Sequence, residues 1–170
     1  WTLAAYAVEG GASRHALKVK DMMHNAPELA HRLMAATADA VATYAVHQID
    51  NGAQVVQLFE SWAHHLSPSD FAVFAKPYAA RVAQRVSAAR PDVPLIFFAN
   101  GGSSYLDLQR DMVDHGFSAL SLDWGVDIKV ARQILGDHVA VQGNVDPTLL
   151  LTSPTQVEHA VKSCIDLAGG

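Results

Sequence analysis

The chain has 170 residues, half of them hydrophobic and 17% charged, with a formal net charge of −5. A mean hydropathy of +0.11 and a pI of about 5.9 belong to an ordinary globular α/β domain, far from the polar, charge-rich composition of disorder. The acidic balance excludes a basic footprint for nucleic acid. One cysteine, Cys164, excludes an internal disulfide, and no run of about 18 apolar residues is present to span a membrane.

The length suits a single domain over residues 1–170. Trp1 opens directly into an apolar stretch without an initiator methionine, and Gly169-Gly170 follow a helix where a new strand could begin. Both ends therefore read as cut, and the chain is expected to be a fragment of a longer protein. With a lone thiol and no Cys-x-x-Cys, a reducing compartment is expected.

Trp1 to Val8 are apolar and aromatic, and Gly10-Gly11 mark a helix stop or loop. Asn25-Ala26-Pro27-Glu28 has the pattern of a capping box. Behind it, Leu29, Leu33, Met34, Ala40, Val41 and Tyr44 recur at helical steps, predicting a long helix to about Asn51-Gly52. Val55 to Phe59 is a short apolar run of the kind buried on both faces of a parallel sheet. Ser67 then caps a helix with Pro68 at its first position, and Phe71, Phe74, Ala75, Tyr78, Val82 and Val86 trace its apolar face up to Pro91.

The strand–helix cycle repeats. Strands are predicted at Leu95–Phe98, Ala119–Leu122 and Val139–Gln142, and helices at Ser103–His115 and Asp127–Leu135. Asp146-Pro147 starts a short helix, and Ser153-Pro154-Thr155-Gln156 is a second capping box. Strands alternating with helices mean parallel βαβ units, in an open doubly wound sheet or part of a (β/α)8 barrel. No Gly-x-Gly-x-x-Gly follows the first strand, which favours the barrel. A complete barrel needs about 250 residues, so a partial one is expected.

Ligands gather at the carboxyl ends of parallel strands. Here those ends are Phe59-Glu60-Ser61-Trp62 with His64-His65, Asn100-Gly101-Gly102, Asp123-Trp124-Gly125, and Gln142 to Asp146. The glycine turn is either an anion site or a plain tight turn. The histidine pair lacks a suitably spaced third metal ligand, so capping or surface roles fit it better. Asp123 is either a general base or anchor, or a structural acceptor of loop amides. Cys164, among Val161, Ile165 and Leu167, reads as a buried apolar filler. Tyr6 and Tyr44 read as core aromatics on periodicity alone.

Four strings add a resemblance. Trp1-Thr2-Leu3 with Tyr6 and Glu9-Gly10-Gly11, the stretch from Gly52 to Pro68, the pair Asp123-Trp124, and the run from Val139 to Pro147 resemble, in order, motifs of the uroporphyrinogen decarboxylase family. Ser61–Pro68 and Pro94–Gly102 look closer to plastid-type members, which implies a plastid or cytoplasmic location. The resemblance implies a (β/α)8 barrel, usually homodimeric, that removes carboxyl groups from the four acetate side chains of uroporphyrinogen III without cofactor or metal. The product would be coproporphyrinogen III, on the route to haem and chlorophyll.

By motif position, Tyr6 matches a substrate-contacting tyrosine and Ser61 a hydroxyl at a strand end, and both are expected around one hollow. Phe59, on the same strand face as Ser61, is expected in an apolar wall, with Asp123 and Gln142 as further candidates by strand-end position. The family's arginine-rich motif, its aspartate at the pyrrole nitrogens and its late His-Gly have no match here, so the chain alone is expected to be inactive. A zinc-dependent methyltransferase of the same barrel group is the competing enzyme, disfavoured because the one cysteine lies on a helix. A non-catalytic partial gene product is the competing non-enzyme.

Overall fold

The computed structural model describes residues 1–169. Three helices come first: α1 (Thr2–Glu9), α2 (Leu17–Asn25) and α3 (Pro27–Asp50). Strand β1 (Val56–Glu60) leads through a 3-10 turn, Ala63–His65, into α4 (Pro68–Asp70) and α5 (Lys76–Ala89), joined by a π-type turn at Phe71–Ala75. Then follow β2 (Leu95–Ala99), a 3-10 segment Gly102–His115, β3 (Ala119–Ser121), α6 (Ile128–Leu135), β4 (Ala140–Gln142), a 3-10 turn Pro147–Leu151, and α7 (Pro154–Ala168).

Local chemistry explains most boundaries. Gly10 takes φ 81° and returns its N–H to Tyr6 O, closing α1 in a conformation that glycine adopts without strain. Ser67 Oγ accepts the Asp70 N–H at 3.1 Å with Pro68 at the first helical position. Asp127 caps α6, and Ser153 with Gln156 forms a capping box on α7. The capping box expected at Asn25 is absent. Asn25 is the last residue of α2, its Nδ2 donates to Asp21 Oδ1 at 2.7 Å, and α3 begins after Ala26 without a side-chain cap.

The buried face of α3 also differs from the expected one. Ala30, Met34, Ala38, Ala42 and Ala45 point inward, whereas Leu29 and Tyr44 are 46% and 62% exposed. The reason lies in α5, which presents Ala79, Ala80 and Ala83 with Val82 and Val86. Small side chains at a helix contact let the axes approach closely, so alanine joins Met34 in the buried row, Leu33 and Val41 pack at its margin as expected, and Leu29 and Tyr44 turn outward. Asp39 on α3 ties the pair together. It accepts Arg81 Nε and Nη2 at 2.7 Å each and also pairs with Arg85.

The four strands are parallel and lie in the order β1-β2-β3-β4. Right-handed crossovers in a sequential order place successive helices on one face. That order lacks the switch point of a doubly wound sheet and matches an arc of a (β/α)8 barrel. The four described strands do not close on themselves. Leu95, Phe97, Ala99 and Leu120 are buried, with Phe97 packed on Phe71 and Phe117. Among the described residues nothing covers the opposite face, and Phe59 is 56% exposed, so within this chain the strands are buried on one face.

Asp39 generates a pH prediction. The Arg81 hydrogen bond, joined by Arg85, holds its carboxyl at about 2, below the ordinary 3.8. A depressed carboxyl stabilises the fold above its unfolded value and loses that contribution as pH falls through the folded one. Between about pH 4 and 2, urea midpoints of the unaltered protein should therefore fall more steeply than those of Asp39→Asn. The difference should shrink in high salt, because the pair is exposed. Equal slopes would remove the clamp from the account.

Candidate functional site

The carboxyl end of β1 is fastened to α1. Glu60, 4% exposed, accepts the Trp1 nitrogen at 2.9 Å through Oε1, and Thr2 N and Oγ1 at 2.8 Å each through Oε2. The arrangement is reciprocated from the next turn of chain: Trp62 N donates to Thr2 Oγ1 at 3.1 Å, and Trp1 Nε1 donates to Trp62 O at 3.1 Å. A buried carboxylate without such donors would be strongly disfavoured, so Glu60 specifies where α1 sits. Sequence reasoning placed Glu60 only among rim residues. The available signal was an acid at an even step from Leu58, on the helix-facing side.

With α1 fixed, Tyr6 lies over Trp62. Their ring centroids are 4.2 Å apart, Trp62 meets His65 edge-on at 5.3 Å, and His65 meets His64 at 4.1 Å. Tyr6 is 41% exposed; it is a rim aromatic and not a core one. Tyr44 is also outward. Burial lowers the His65 pKa, helped by the charges of His64, Lys20 and His15 and opposed by Glu9.

The β2 loop holds the segment Ser61–His65 from the other side. Asn100 N donates to Glu60 O and Asn100 Nδ2 to Ser61 O, both at 3.1 Å. The buried Tyr105 hydroxyl donates to Ala63 O at 2.8 Å, and its ring stacks on Phe71. That reach coincides with a kink in the Gly102–His115 segment, where Tyr105 leaves helical geometry. Burial, with Glu60 and Asp123 nearby, pushes its phenol far above the ordinary range. Asn100-Gly101-Gly102 thus acts as a tight turn that clamps a neighbour.

Alternation turns Phe59 away from Glu60, toward the open face, and Ser61 follows in the turn directly after the strand. The register aligns Phe59, Phe98, Ser121 and Gln142 in one row. Phe59 meets Phe98 edge-on at 5.8 Å, and Gln142 Nε2 donates to Ser121 Oγ at 3.1 Å and Gln57 Oε1 at 3.2 Å. Phe59 and Gln142 therefore share a face. Tyr6 reaches the rim separately, from α1, and no hydrogen bond joins it to Ser61 among the described residues. Asp123 Oδ1 accepts Gly125 N at 2.7 Å, the structural one of its two sequence readings.

At the ends of β3 and β4, Asn144 ties two loops together. Its Nδ2 donates to Asp123 O at 2.9 Å and Val126 O at 2.6 Å. Cys164 packs against the margin of the core and is not fully buried. Half-buried, its Sγ accepts Asn144 N and donates to Gly143 O, each at 3.2 Å. An open hollow of about 440 Å³ lies beside it, lined among others by Trp124, Asn144 and His159. Among the described residues no three His, Cys, Asp or Glu side chains gather to hold a metal ion.

Gly101 gives the site a direct test. It sits at φ 72°, and an added Cβ would lie 2.5 Å from His64 Cβ and 3.2 Å from His64 Cα. Gly101→Ala should cost about 1 kcal/mol in backbone strain alone and displace His64. The checks are the denaturant midpoint and the His64 imidazole signals in NMR spectra. An unshifted His64 would show that the loop contact is loose.

Comparison with known proteins completes the picture. The family model described as "Uroporphyrinogen decarboxylase (URO-D)" matches residues 1–170. Among curated relatives, a uroporphyrinogen decarboxylase of Gloeobacter violaceus is 44% identical over 169 residues, which is 99% of this chain and 48% of the relative. That of Nostoc punctiforme is 45% identical over 169 residues, covering 99% and 47%, and that of a Synechococcus strain 42% over 170, covering 100% and 47%. The chain spans about half the length of the curated relatives it matches. It belongs to the uroporphyrinogen decarboxylase family.

Proposed function

We propose that this chain forms the central portion of an enzyme that decarboxylates the four acetate side chains of uroporphyrinogen III to give coproporphyrinogen III. The family match over residues 1–170 carries the reading. The sequential parallel sheet supports the accompanying fold proposal, a (β/α)8 barrel completed by further strands of the whole protein. A homodimer and a plastid or cytoplasmic location belong to the same proposal, as does the absence of a cofactor.

Each step exchanges a carboxylate for hydrogen: a proton adds to the pyrrole ring, carbon dioxide leaves as its bonding electrons pass into the protonated ring, a proton is added to the methylene carbon, and the ring gives its own proton back. The residues of this chain bind and orient. In the proposal, Tyr6 and Ser61 donate hydrogen bonds to substrate carboxylates. Ser61 Oγ has no hydrogen-bond partner among the described residues, which leaves it available. Phe59, with Phe98 beside it, lines an apolar wall against the macrocycle, where excluding water destabilises the carboxylate about to leave. Gln142 and Asp123 flank the same strand ends in supporting roles. The acidic group facing the pyrrole nitrogens and the binding arginines lie elsewhere in the whole protein, so the 170-residue chain alone is inactive.

The experiment is an anaerobic assay of the full-length protein with uroporphyrinogen III, products being oxidised and separated by chromatography. Coproporphyrin is expected, and its absence overturns the proposal. Tyr6→Phe and Ser61→Ala should each lower kcat/KM by about 10- to 100-fold, the loss of one hydrogen bond to a charged group. Values within twofold of the unaltered enzyme would remove that residue from the site.

A further inference from the structure

The turn after β1 carries more than Ser61, one of the two proposed carboxylate donors. Its rings form a continuous series, Tyr6 on Trp62, Trp62 on His65, His65 on His64, leading outward from the strand end. The groups around it are mostly basic. His15 comes from the loop between α1 and α2, Lys20 from α2, and both act on His65 with the sign of positive charge. The acid present is Glu9 of α1, and its Oε1 is already engaged by Val19 N at 3.0 Å. Counted with histidine neutral, Lys20 and Glu9 cancel, so the positive charge at this turn is supplied by its imidazoles when protonated, in a chain whose formal net charge is −5 and where a polyanion would otherwise meet repulsion.

We propose that His64 and His65, with Lys20 and His15 behind them, receive carboxylate side chains of the anionic tetrapyrrole at the rim, as an anchoring site beside Tyr6 and Ser61. This rests on the proposed substrate class. The segment is preformed for the task. Asn100 holds Ser61 O, Tyr105 holds Ala63 O, and Gly101 lies directly against His64, so the imidazoles are presented without loop ordering at the moment of binding.

The chemistry gives the site a sign. Imidazole is the side chain that changes charge near neutrality, and two rings 4.1 Å apart resist carrying charge together unless an anion intervenes. Burial and the neighbouring His64, Lys20 and His15 keep His65 neutral more readily than an ordinary histidine, with Glu9 opposing. An arriving carboxylate favours the protonated form and makes charge-assisted hydrogen bonds with it. Binding therefore takes up protons, and affinity rises as pH falls.

The test uses the full-length protein and uroporphyrin III, the stable aromatic oxidation product of the substrate, titrated by fluorescence between pH 6 and 8.5. The unaltered protein should weaken about tenfold across that range. His64→Gln with His65→Gln should weaken binding by a similar factor at pH 6 and flatten the pH dependence. His64→Lys with His65→Gln should recover affinity without the pH dependence. In turnover the glutamine pair should raise KM more than it lowers kcat. Should that pair fail to fold, His64→Gln alone, at an exposed position, should raise Kd about threefold at pH 6. Unchanged affinity and pH profile in the glutamine variants overturns this site. An unaltered enzyme that converts no uroporphyrinogen instead overturns the activity on which it rests.

Discussion

Everything at the rim depends on the carboxylate of Glu60. It projects from the last residue of β1 into the helix layer and takes hydrogen bonds from the first two residues of the chain. Hydrogen bonds to a charged acceptor contribute about 1.5–3 kcal/mol each in a buried setting. Their larger effect is geometric, since a buried carboxylate tolerates few arrangements other than the one that satisfies it. Because α1 cannot shift without stranding that charge, Tyr6 is held above Trp62. A residue without a proposed role in chemistry thus positions one that has it.

The sheet divides the molecule into two environments. On the helix side, Phe97 and Leu120 are fully buried, and Phe97 lies between Phe71 and Phe117. On the other side, Phe59, Phe98, Ser121 and Gln142 form a row that mixes aromatic and polar groups. Strand alternation means that a one-residue slip would exchange these sets. The tightly packed helix face therefore also determines which residues the open face presents. Stability on one side and the proposed recognition on the other have the same cause.

Loop chemistry at the rim follows a common scheme at β1 and β3, whose ends are each secured by an asparagine after the next strand. Asn100, after β2, binds Ser61 O after β1. Asn144, after β4, binds Asp123 O after β3, and is itself held by Cys164 of α7. Amide side chains suit this work because they donate to carbonyls without bringing a charge into the rim. The titratable groups gather instead around the turn after β1, where the His64 and His65 rings lie 4.1 Å apart and Lys20, His15 and Glu9 of the α1–α2 region act on His65.

Much of this architecture was legible in the amino-acid order. Alternating apolar runs and capping residues located the four strands and most helices, because hydrophobic periodicity and local hydrogen bonds are short-range properties. The family resemblance came from contiguous strings, as did the candidates Tyr6 and Ser61, while Phe59 followed from strand alternation beside Ser61 and Asp123 and Gln142 from strand-end position. Helix α2 escaped notice because it buries only Val19 and Met23 of its nine residues, too few to establish a period. The inward face of α3 was misplaced because alanine gives a weak periodic signal, and its burial against α5 is a property of two helices together. The fastening of α1 by Glu60, the amide clamps of Asn100 and Asn144, and the stacking of Tyr6 on Trp62 join residues 18 to 61 positions apart along the chain. Local pattern determined which segments form and which residues stand at strand ends. Only the tertiary fold decided which of them meet, because that depends on where buried charge and amide groups far apart in the chain find their partners.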